Sequence, residues 1–263
     1  MTDHAALVRQ EFARQLPHFE RDDSFFADDQ LATWVLAQLE PLDRNMVVLE
    51  VACGAAHQSE VVAPRVRQVV GIDLTPDLLG AGAARLARAG VTNVLLQEGE
   101  AGRLPFLDAS FDLVFCRFAV HHFDEPLGRL AEMVRVCRPG GRVVVIDMIS
   151  PDAELAEVQN HWERRRDPSH TMALGSEALA GGLVDAGAAI TRRIRRETPM
   201  HVERWLSTAH TPAEVAEEIR AAFRADLSGG VTTGCRPVEI DGELHFRHTW
   251  EIVVAVKEGR PGE

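Results

Sequence analysis

The chain has 263 residues, of which 46% are hydrophobic and 26% are charged, and this suits one large globular domain or one domain with a sizeable insertion. Its formal net charge of −12 at pH 7 argues against nucleic acid and anionic lipid as partners, because both bind to basic protein surfaces. No segment reads as a signal peptide or a membrane span, and the four cysteines lack metal or redox spacing, so we expect a cytoplasmic protein with free thiols.

The predicted elements alternate between helix and strand over the first 150 residues and become more helical afterwards. Apolar residues at helical intervals predict the helices, and short β-branched runs predict the strands. The helices are expected at 5–15, 29–39, 57–66, 76–89, 126–137, 152–165, 174–186, 199–208 and 212–226. The strands are expected at 46–51, 68–73, 93–97, 111–116, 142–148, 189–197 and 244–256.

The most informative feature is the pair of strands at 46–51 and 68–73. The first leads into a turn of small residues at 52–56, and the second ends in a carboxylate, Asp73. The order of strand, small-residue turn, helix, strand and acid is typical of a nucleotide-handling βαβ unit. The turn lets a ligand approach the backbone, and the Asp73 carboxylate can accept hydrogen bonds from both hydroxyls of a ribose.

Three classes of ligand could fill such a site. A dinucleotide fold usually carries Gly-x-Gly-x-x-Gly, whereas this turn reads Ala-Cys-Gly-Ala-Ala and follows Glu50, a poor neighbour for a pyrophosphate. A P-loop is excluded because no Gly-Lys-Ser/Thr follows the turn. A carboxylate at position 50 suits a ligand with an ammonium and a sulfonium group, and S-adenosylmethionine (SAM) has both as well as a ribose.

Four further segments follow in a fixed order along the chain. They are Gly-Glu-Ala-Gly-Arg-Leu-Pro-Phe at 99–106, Ser-Phe-Asp at 110–112, His-His-Phe at 121–123 and Arg-Pro-Gly-Gly at 138–141. Together with the turn, this series resembles the class I SAM-dependent methyltransferases, and most of all the small-molecule branch that includes the C-methyltransferases of ubiquinone and menaquinone biosynthesis. The resemblance covers residues 31–147 well and the remainder more loosely.

The resemblance implies an α/β fold. We expect a Rossmann-like, seven-stranded and mostly parallel sheet with one antiparallel edge hairpin and helices on both faces. The alternating polarity of residues 244–252 fits the antiparallel strand. We expect an N-terminal helical cap at 1–40, a SAM-binding core at 41–150, and a segment at 151–263 that completes the sheet and carries a helical substrate lid inserted at about 199–230.

The sequence departs from the family pattern at four positions. Ala52 and Ala56 stand where the family has the first and third turn glycines, and alanine disfavours a positive φ and narrows the approach to the backbone. Glu100 replaces an aspartate and is one methylene longer. Gly102 replaces a glutamate, so no side chain can act at that point.

The predicted cofactor site lies at the carboxyl ends of the strands, where ligands bind in open α/β sheets. The resemblance implies that the turn contacts the methionine part, Asp73 the ribose, and Glu100 the adenine amino group, with Leu74 and Ala101 on the faces of the adenine. A simple helix or turn cap is the competing interpretation of Asp73. The predicted cofactor-binding residues are Glu50, Ala52, Cys53, Gly54, Ala56, His57, Asp73, Leu74, Gly99, Glu100, Ala101, Arg117 and His122.

Methyl transfer needs mainly positioning and exclusion of water, but an oxygen nucleophile usually needs a general base. His121 and His122 follow the fourth strand and are the predicted catalytic residues, either as a base or as a contact to a substrate oxygen. Structural packing and capping roles for both remain open. The predicted substrate contacts are Phe19, Phe25, His170, His201 and Trp205.

The sequence thus predicts a SAM-dependent methyltransferase that acts on a carbon or oxygen of a small, largely apolar or quinone-like metabolite and yields S-adenosylhomocysteine (SAH). A SAM-binding protein that transfers no methyl group, such as a cyclase, and a nicotinamide-dependent oxidoreductase are the alternatives. We expect no bound metal, because no carboxylate trio of the magnesium-dependent kind is found. A monomer or a homodimer is expected.

Overall fold

The computed structural model describes residues 4–19 and 29–259, which form nine helices and eight strands within those ranges. The helices are α1 (His4–Phe19), α2 (Asp29–Leu39), α3 (His57–Val62), α4 (Pro76–Arg88), α5 (Pro126–Val136), α6 (Ala156–Arg166), α7 (Ser176–Asp185), α8 (Val202–Thr208) and α9 (Ala213–Leu227). The strands are β1 (Val47–Val51), β2 (Gln68–Asp73), β3 (Val94–Glu98), β4 (Phe111–Arg117), β5 (Cys137–Ile149), β6 (Ala188–His201), β7 (Val238–Ile240) and β8 (Glu243–Lys257).

The strands form one sheet in the order β3-β2-β1-β4-β5-β8-β6. The pairs from β3 to β5 are parallel, and β8 is antiparallel to both of its neighbours. This arrangement confirms the predicted α/β class, with a mostly parallel sheet and an antiparallel pairing towards one edge. The short strand β7 is an addition to the predicted seven, and it forms a tight hairpin with the start of β8.

The core has one layer on each face of the sheet. Leu49 and Val51 of β1 point into one layer with Leu130 and Met133 of α5, while Val48 points into the other, which α2 and α3 cover. All five side chains are fully buried. Burial of one such side chain contributes about 1.5–3 kcal/mol, and burial on both faces explains why these strands read as continuous apolar runs.

Helix α1 covers the carboxyl ends of the parallel strands, whereas α2 packs on one face of the sheet. At the end of α1, Phe19 packs on Ala55 of the turn after β1 and on Leu78 of α4. Leu31 and Val35 of α2 belong to the second core layer. Within the described ranges, no helix combines the length and the apolar character that crossing a membrane requires.

The chain between β6 and β8 forms α8, α9 and β7. Trp205, Phe223 and Phe246 make an apolar cluster there, and the ring centroids of Trp205 and Phe246 lie 4.6 Å apart. Because Phe246 belongs to β8, this cluster attaches the inserted helices to the sheet.

One predicted boundary in this region shifts. The helix predicted at 199–208 begins at Val202, because β6 continues to His201. Met200 pairs with Phe246 and His201 pairs with His245 in the antiparallel ladder, and these pairings hold the segment extended.

Candidate active site

The turn after β1 brings the backbone to the edge of the sheet. Ala52, Gly54 and Ala56 all have a positive φ, of 55°, 53° and 58°. Left-handed backbone is unfavourable for alanine, so the two alanines are strained where the related enzymes have glycine. The three kinks turn the chain sharply from β1 into α3 and leave little side-chain bulk in the turn.

Asp73 ends β2 beside this turn. One carboxylate oxygen accepts a hydrogen bond of 2.8 Å from the backbone nitrogen of Gly54, and the other accepts one of 2.8 Å from that of Thr75. Burial raises the pKa of Asp73, and these backbone donors oppose the rise. The side chain therefore caps the turn, which the sequence left open, and it still faces the cavity described next.

A cavity of about 290 Å³ lies over this edge. Its walls come from the turn after β1, the ends of β2, β3 and β4, and the inner side of α1. Twelve of the thirteen predicted cofactor-binding residues line it, namely Glu50, Ala52, Cys53, Gly54, His57, Asp73, Leu74, Gly99, Glu100, Ala101, Arg117 and His122. Ala56 does not line the cavity; it is fully buried and its methyl group faces Gly82 of α4.

Glu50 is buried at the end of β1. Its carboxylate accepts a hydrogen bond of 2.5 Å from the Ser59 hydroxyl. Burial raises the pKa of Glu50 to about 7, although Ser59 and the charge of Arg117 act in the opposite direction. Glu50 is therefore close to half-ionised at neutral pH, and a cationic ligand in the cavity would favour its carboxylate form.

His57 begins α3 beside the turn and lines the same cavity. Burial, together with the charges of Arg85 and Arg117, lowers the pKa of His57 to about 3. The imidazole is therefore neutral at pH 7. It can contact a ligand without adding positive charge to the cavity.

Glu100 has a hydrogen-bond partner that the sequence did not indicate. Its carboxylate accepts a hydrogen bond of 2.9 Å from Arg129 of α5, and Arg129 also lines the cavity. A Cβ atom at Gly102 would lie 3.3 Å from the guanidinium carbon of Arg129. The glycine that replaces the family's glutamate thus leaves room for this guanidinium.

A second cavity, of about 660 Å³, lies beside the first. Phe12, Phe118 and His122 line both cavities, so the two spaces meet at these side chains. The walls of the larger cavity come from α1, α2, the end of α6, β6, α8 and β8. It has aromatic side chains such as Trp250 and a group of histidines that includes His121.

His121 and His122 lie in a short 3-10 helix at Val120–His122, directly after β4. The Nδ1 atom of His121 lies 2.5 Å from a carboxylate oxygen of Asp147, which is buried in β5. Burial alone would lower the pKa of His121, but the charge and hydrogen bond of Asp147 raise it above the usual value. An imidazole paired with a carboxylate in this way can take a proton at its other nitrogen.

His122 has a different environment. Burial lowers its pKa to about 4, and the neighbouring His121 adds to this effect. Its Nδ1 atom lies 3.1 Å from the Ser169 hydroxyl, and its ring meets that of Phe12 edge-on at a centroid distance of 4.9 Å. His122 is therefore a neutral imidazole at the place where the two cavities meet.

The predicted substrate contacts do not all lie in the same cavity. His170, His201 and Trp205 line the larger cavity, whereas Phe19 lines the smaller one. Phe25 lies outside the described residues. The Nε2 atom of His170 lies 2.8 Å from the side-chain oxygen of Asn160, and that of His201 lies 2.8 Å from a carboxylate oxygen of Glu243. Both histidines therefore also have hydrogen-bond partners within the protein.

The sequence did not single out Asp147, Ser169, Arg129 or Phe12. Asp147 ends the apolar run of β5, just as Asp73 ends that of β2, so the same strand-tip argument could have found it. Ser169 and Arg129 gain their roles from partners far away in the chain, and no local pattern marks them.

A family model described as a methyltransferase domain matches residues 49–145. The uncharacterized methyltransferase YcgJ of Bacillus subtilis is 31% identical over 201 residues, which cover 76% of this chain and 79% of that protein. The crystal structure of YcgJ has a TM-score of 0.79 at 24% identity and covers 88% of this chain and 100% of that one. A demethylmenaquinone methyltransferase of Listeria monocytogenes is 31% identical over 150 residues, or 55% of this chain and 63% of that enzyme.

The fold alone is shared more widely. The cyclase SpnF has a TM-score of 0.67 at 20% identity, with 97% of each chain covered. The likeness to YcgJ goes further, because it extends to the sequence over most of both chains, and the matched domain coincides with the strands that carry the smaller cavity. The chain belongs to the class I SAM-dependent methyltransferases.

Proposed function

We propose that this enzyme transfers the methyl group of SAM, held in the smaller cavity, to an oxygen or carbon of a small, largely apolar acceptor in the larger cavity. The observation that carries the proposal is the meeting of the two cavities at Phe12, Phe118 and His122. Two adjacent sites are what a transfer between two bound molecules needs, because the reacting atoms must be held close together and in line.

The residues of the smaller cavity fit SAM. Two buried carboxylates, Glu50 and Asp73, suit a ligand with cationic groups and a ribose diol, and the φ of +53° at Gly54 favours a residue without a side chain. When bound, SAM supplies an activated methyl group. The protein's part is then to bind the cofactor, to orient the acceptor and to exclude water.

We assign the general base to His121. Its Nδ1 is occupied by Asp147, which leaves Nε2 to take a proton from an acceptor hydroxyl or an acidic carbon. The carboxylate stabilises the imidazolium that forms, and the raised pKa of His121 makes it a stronger base than its neighbour. Its place on the wall of the larger cavity supports this assignment, because that cavity is the proposed acceptor site.

The walls of the larger cavity favour an aromatic or quinone-like acceptor. Phe118 and Trp250 form one side, with their ring centroids 5.0 Å apart, and Leu31 and Met148 add apolar surface. An aromatic body packs well on such rings, while the histidines offer hydrogen bonds to its oxygens. The quinone-biosynthesis relative acts on an acceptor of this kind, as its name demethylmenaquinone methyltransferase says.

The test has two parts. Mass spectrometry of ligands released from the purified protein should show SAM or SAH. Incubation with methyl-labelled SAM and a panel of hydroquinones, phenols and enols should then give a labelled product that depends on the enzyme. SAM bound without any labelled product would favour a non-methylating pathway protein, and bound NAD without SAM would favour an oxidoreductase.

A further inference from the structure

A chain of hydrogen bonds runs from His122 into the protein interior. The Ser169 hydroxyl lies 3.1 Å from Nδ1 of His122 and 2.6 Å from a carboxylate oxygen of Asp167. Ser169 is fully buried and Asp167 is nearly so. The same carboxylate also accepts a bond of 2.9 Å from the Ser169 backbone nitrogen and, on its other oxygen, one of 3.1 Å from Gln15.

The direction of these bonds follows from the number of protons available. Burial would raise the pKa of Asp167, but the positive groups and hydrogen-bond donors around it hold that pKa well below its usual value, so Asp167 is an ionised carboxylate that can only accept. A serine hydroxyl has one proton, and its short contact with the carboxylate requires that proton. The Ser169 oxygen must then accept from His122, whose Nδ1 therefore carries a hydrogen.

The same count of protons excludes the opposite direction of the bond between Ser169 and His122. If Ser169 donated its proton to Nδ1 of His122, two lone pairs would face each other 2.6 Å apart between Ser169 and Asp167. Such a contact between two unshared acceptors is strongly repulsive at this distance, and here it would be buried.

We propose that Ser169 and Asp167 lock His122 as its Nδ1–H tautomer, so that the lone pair of Nε2 accepts a hydrogen bond from the acceptor substrate where the two cavities meet. This inference rests on the proposed function and assigns different tasks to the two adjacent histidines. Ser169 is a positioning residue, because it acts only through the ring of His122. The bound substrate would present at this junction an O–H group other than the one that His121 deprotonates, as a hydroquinone with two hydroxyls can.

The surroundings of the ring support this role. His122 lines both cavities, and the side-chain hydrogen bond of its ring is the one between Nδ1 and the Ser169 hydroxyl. The imidazole of His121 lies at a centroid distance of 4.2 Å, and its Nδ1 is bonded directly to Asp147. One histidine is thus paired with a carboxylate and the other with a hydroxyl, and only the first gains the full stabilisation of its protonated form from a direct ion pair.

The tautomer can be measured without any acceptor. Long-range proton–nitrogen NMR spectra of protein with 15N-labelled histidine distinguish a protonated ring nitrogen from one with a free lone pair, and a His122→Gln variant identifies the signals. At pH 7 the wild type should show a protonated Nδ1 and an unprotonated Nε2 on His122. The Ser169→Ala variant should lose this preference, with a substantial fraction of the ring protonated at Nε2.

Two further variants complete the test: Thr171→Val is a control for a general disturbance of the loop after α6, and Asp167→Asn is a second test of the tautomer. Thr171→Val removes a nearby hydroxyl that bonds the backbone oxygens of His121 and Phe123 but does not touch the His122 ring, so it should keep the wild-type tautomer. Asp167→Asn removes the charge that holds the serine proton and should shift the ring towards Nε2–H. A wild-type ring protonated at Nε2, or an unchanged ring in both Ser169→Ala and Asp167→Asn, would overturn the proposal.

Kinetics then separate this proposal from the proposed function. With a hydroxyl acceptor from the panel, Ser169→Ala should lower kcat about 10- to 100-fold while the Kd for SAM changes less than about twofold, since Ser169 does not line the smaller cavity. An unchanged kcat would contradict the positioning role. If no acceptor is methylated although the tautomer behaves as expected, the proposed function fails and the tautomer lock stands.

Discussion

Asp73 accepts a hydrogen bond of 2.8 Å from the backbone nitrogen of Gly54, so the carboxylate that ends β2 also holds the turn that follows β1. Its second oxygen is bonded to the backbone nitrogen of Thr75. A carboxylate can accept about four hydrogen bonds, and the Thr75 side chain and the Leu74 backbone also interact with Asp73, so a ribose hydroxyl would share the oxygens with these donors. One side chain serves the turn and the proposed cofactor contact together.

Replacement of Asp73 by alanine should weaken SAM binding at least about tenfold. The variant loses two hydrogen bonds to a charged acceptor, each of which typically contributes about 1.5–3 kcal/mol, and it also leaves the Gly54 nitrogen without its partner. Isothermal titration calorimetry measures the Kd. Asp77→Ala is the control, because Asp77 is an exposed residue in the first turn of α4 and does not line the cavity. An unchanged Kd in Asp73→Ala would contradict the ribose contact.

Glu50 should make SAM binding depend on pH. Because burial raises the pKa of Glu50 to about 7, the group becomes ionised between about pH 6 and pH 8, and only its carboxylate attracts a cationic ligand. The ratio of the wild-type affinity to that of Glu50→Gln should therefore rise with pH across this range. The ratio removes the titration of the SAM amino group, which both proteins share. A ratio that is constant with pH would contradict this role of Glu50.

Much of this site could be predicted because its residues follow from strand ends. Glu50, Asp73 and the turn between them come directly after or within short apolar runs, and a parallel sheet collects such residues at one edge. The sequence showed Ala52 and Ala56 at turn positions where the family has glycine, and the structure gives both the positive φ that alanine disfavours. These features depend on local sequence and on the period of the strand, which a single chain reveals.

The remaining features depend on contacts between distant segments. His122 and Ser169 are 47 residues apart, and Glu100 and Arg129 are 29 apart. Their pairing is set by where α5 and the loop after α6 pack against the sheet and by the side-chain rotamers chosen there. The sequence shows that each residue can form hydrogen bonds, but it does not show which partner lies within hydrogen-bond distance.

Glycine at position 56 should stabilise the protein. Ala56 has a φ of 58° and does not line the cavity, so its replacement relieves backbone strain without altering the ligand site. We expect Ala56→Gly to raise the free energy of unfolding by about 0.5–1 kcal/mol, measured by urea denaturation.

The matched control for this change is Ala63→Gly. Ala63 is also buried but has a helical φ of −50°, where glycine loses more backbone entropy than alanine. This variant should lower the free energy of unfolding by about 1 kcal/mol. Destabilisation in both variants would show that the methyl group of Ala56 contributes more through packing near Gly82 than it costs in strain.

The pair of Asp147 and His121 makes the sharpest prediction about catalysis. The charge of Asp147 raises the pKa of His121, so kcat should increase with pH through an inflection above the usual histidine value of about 6.5, as the base loses its proton. In Asp147→Asn burial still lowers the pKa of His121, and only the weaker effects of the Glu163 and Asp167 charges oppose it, so the pKa should fall. The inflection therefore moves to lower pH, and the plateau of kcat drops about 100-fold because the base is weaker and no longer oriented by a carboxylate.

NMR titration of His121 gives the same pKa without an acceptor. The control is Asp152→Asn, which changes a carboxylate on the surface after β5. It should leave the pH dependence of kcat and the NMR titration of His121 unchanged. An inflection that stays at its wild-type pH in Asp147→Asn would remove His121 as the base and leave the proton to another group in the larger cavity.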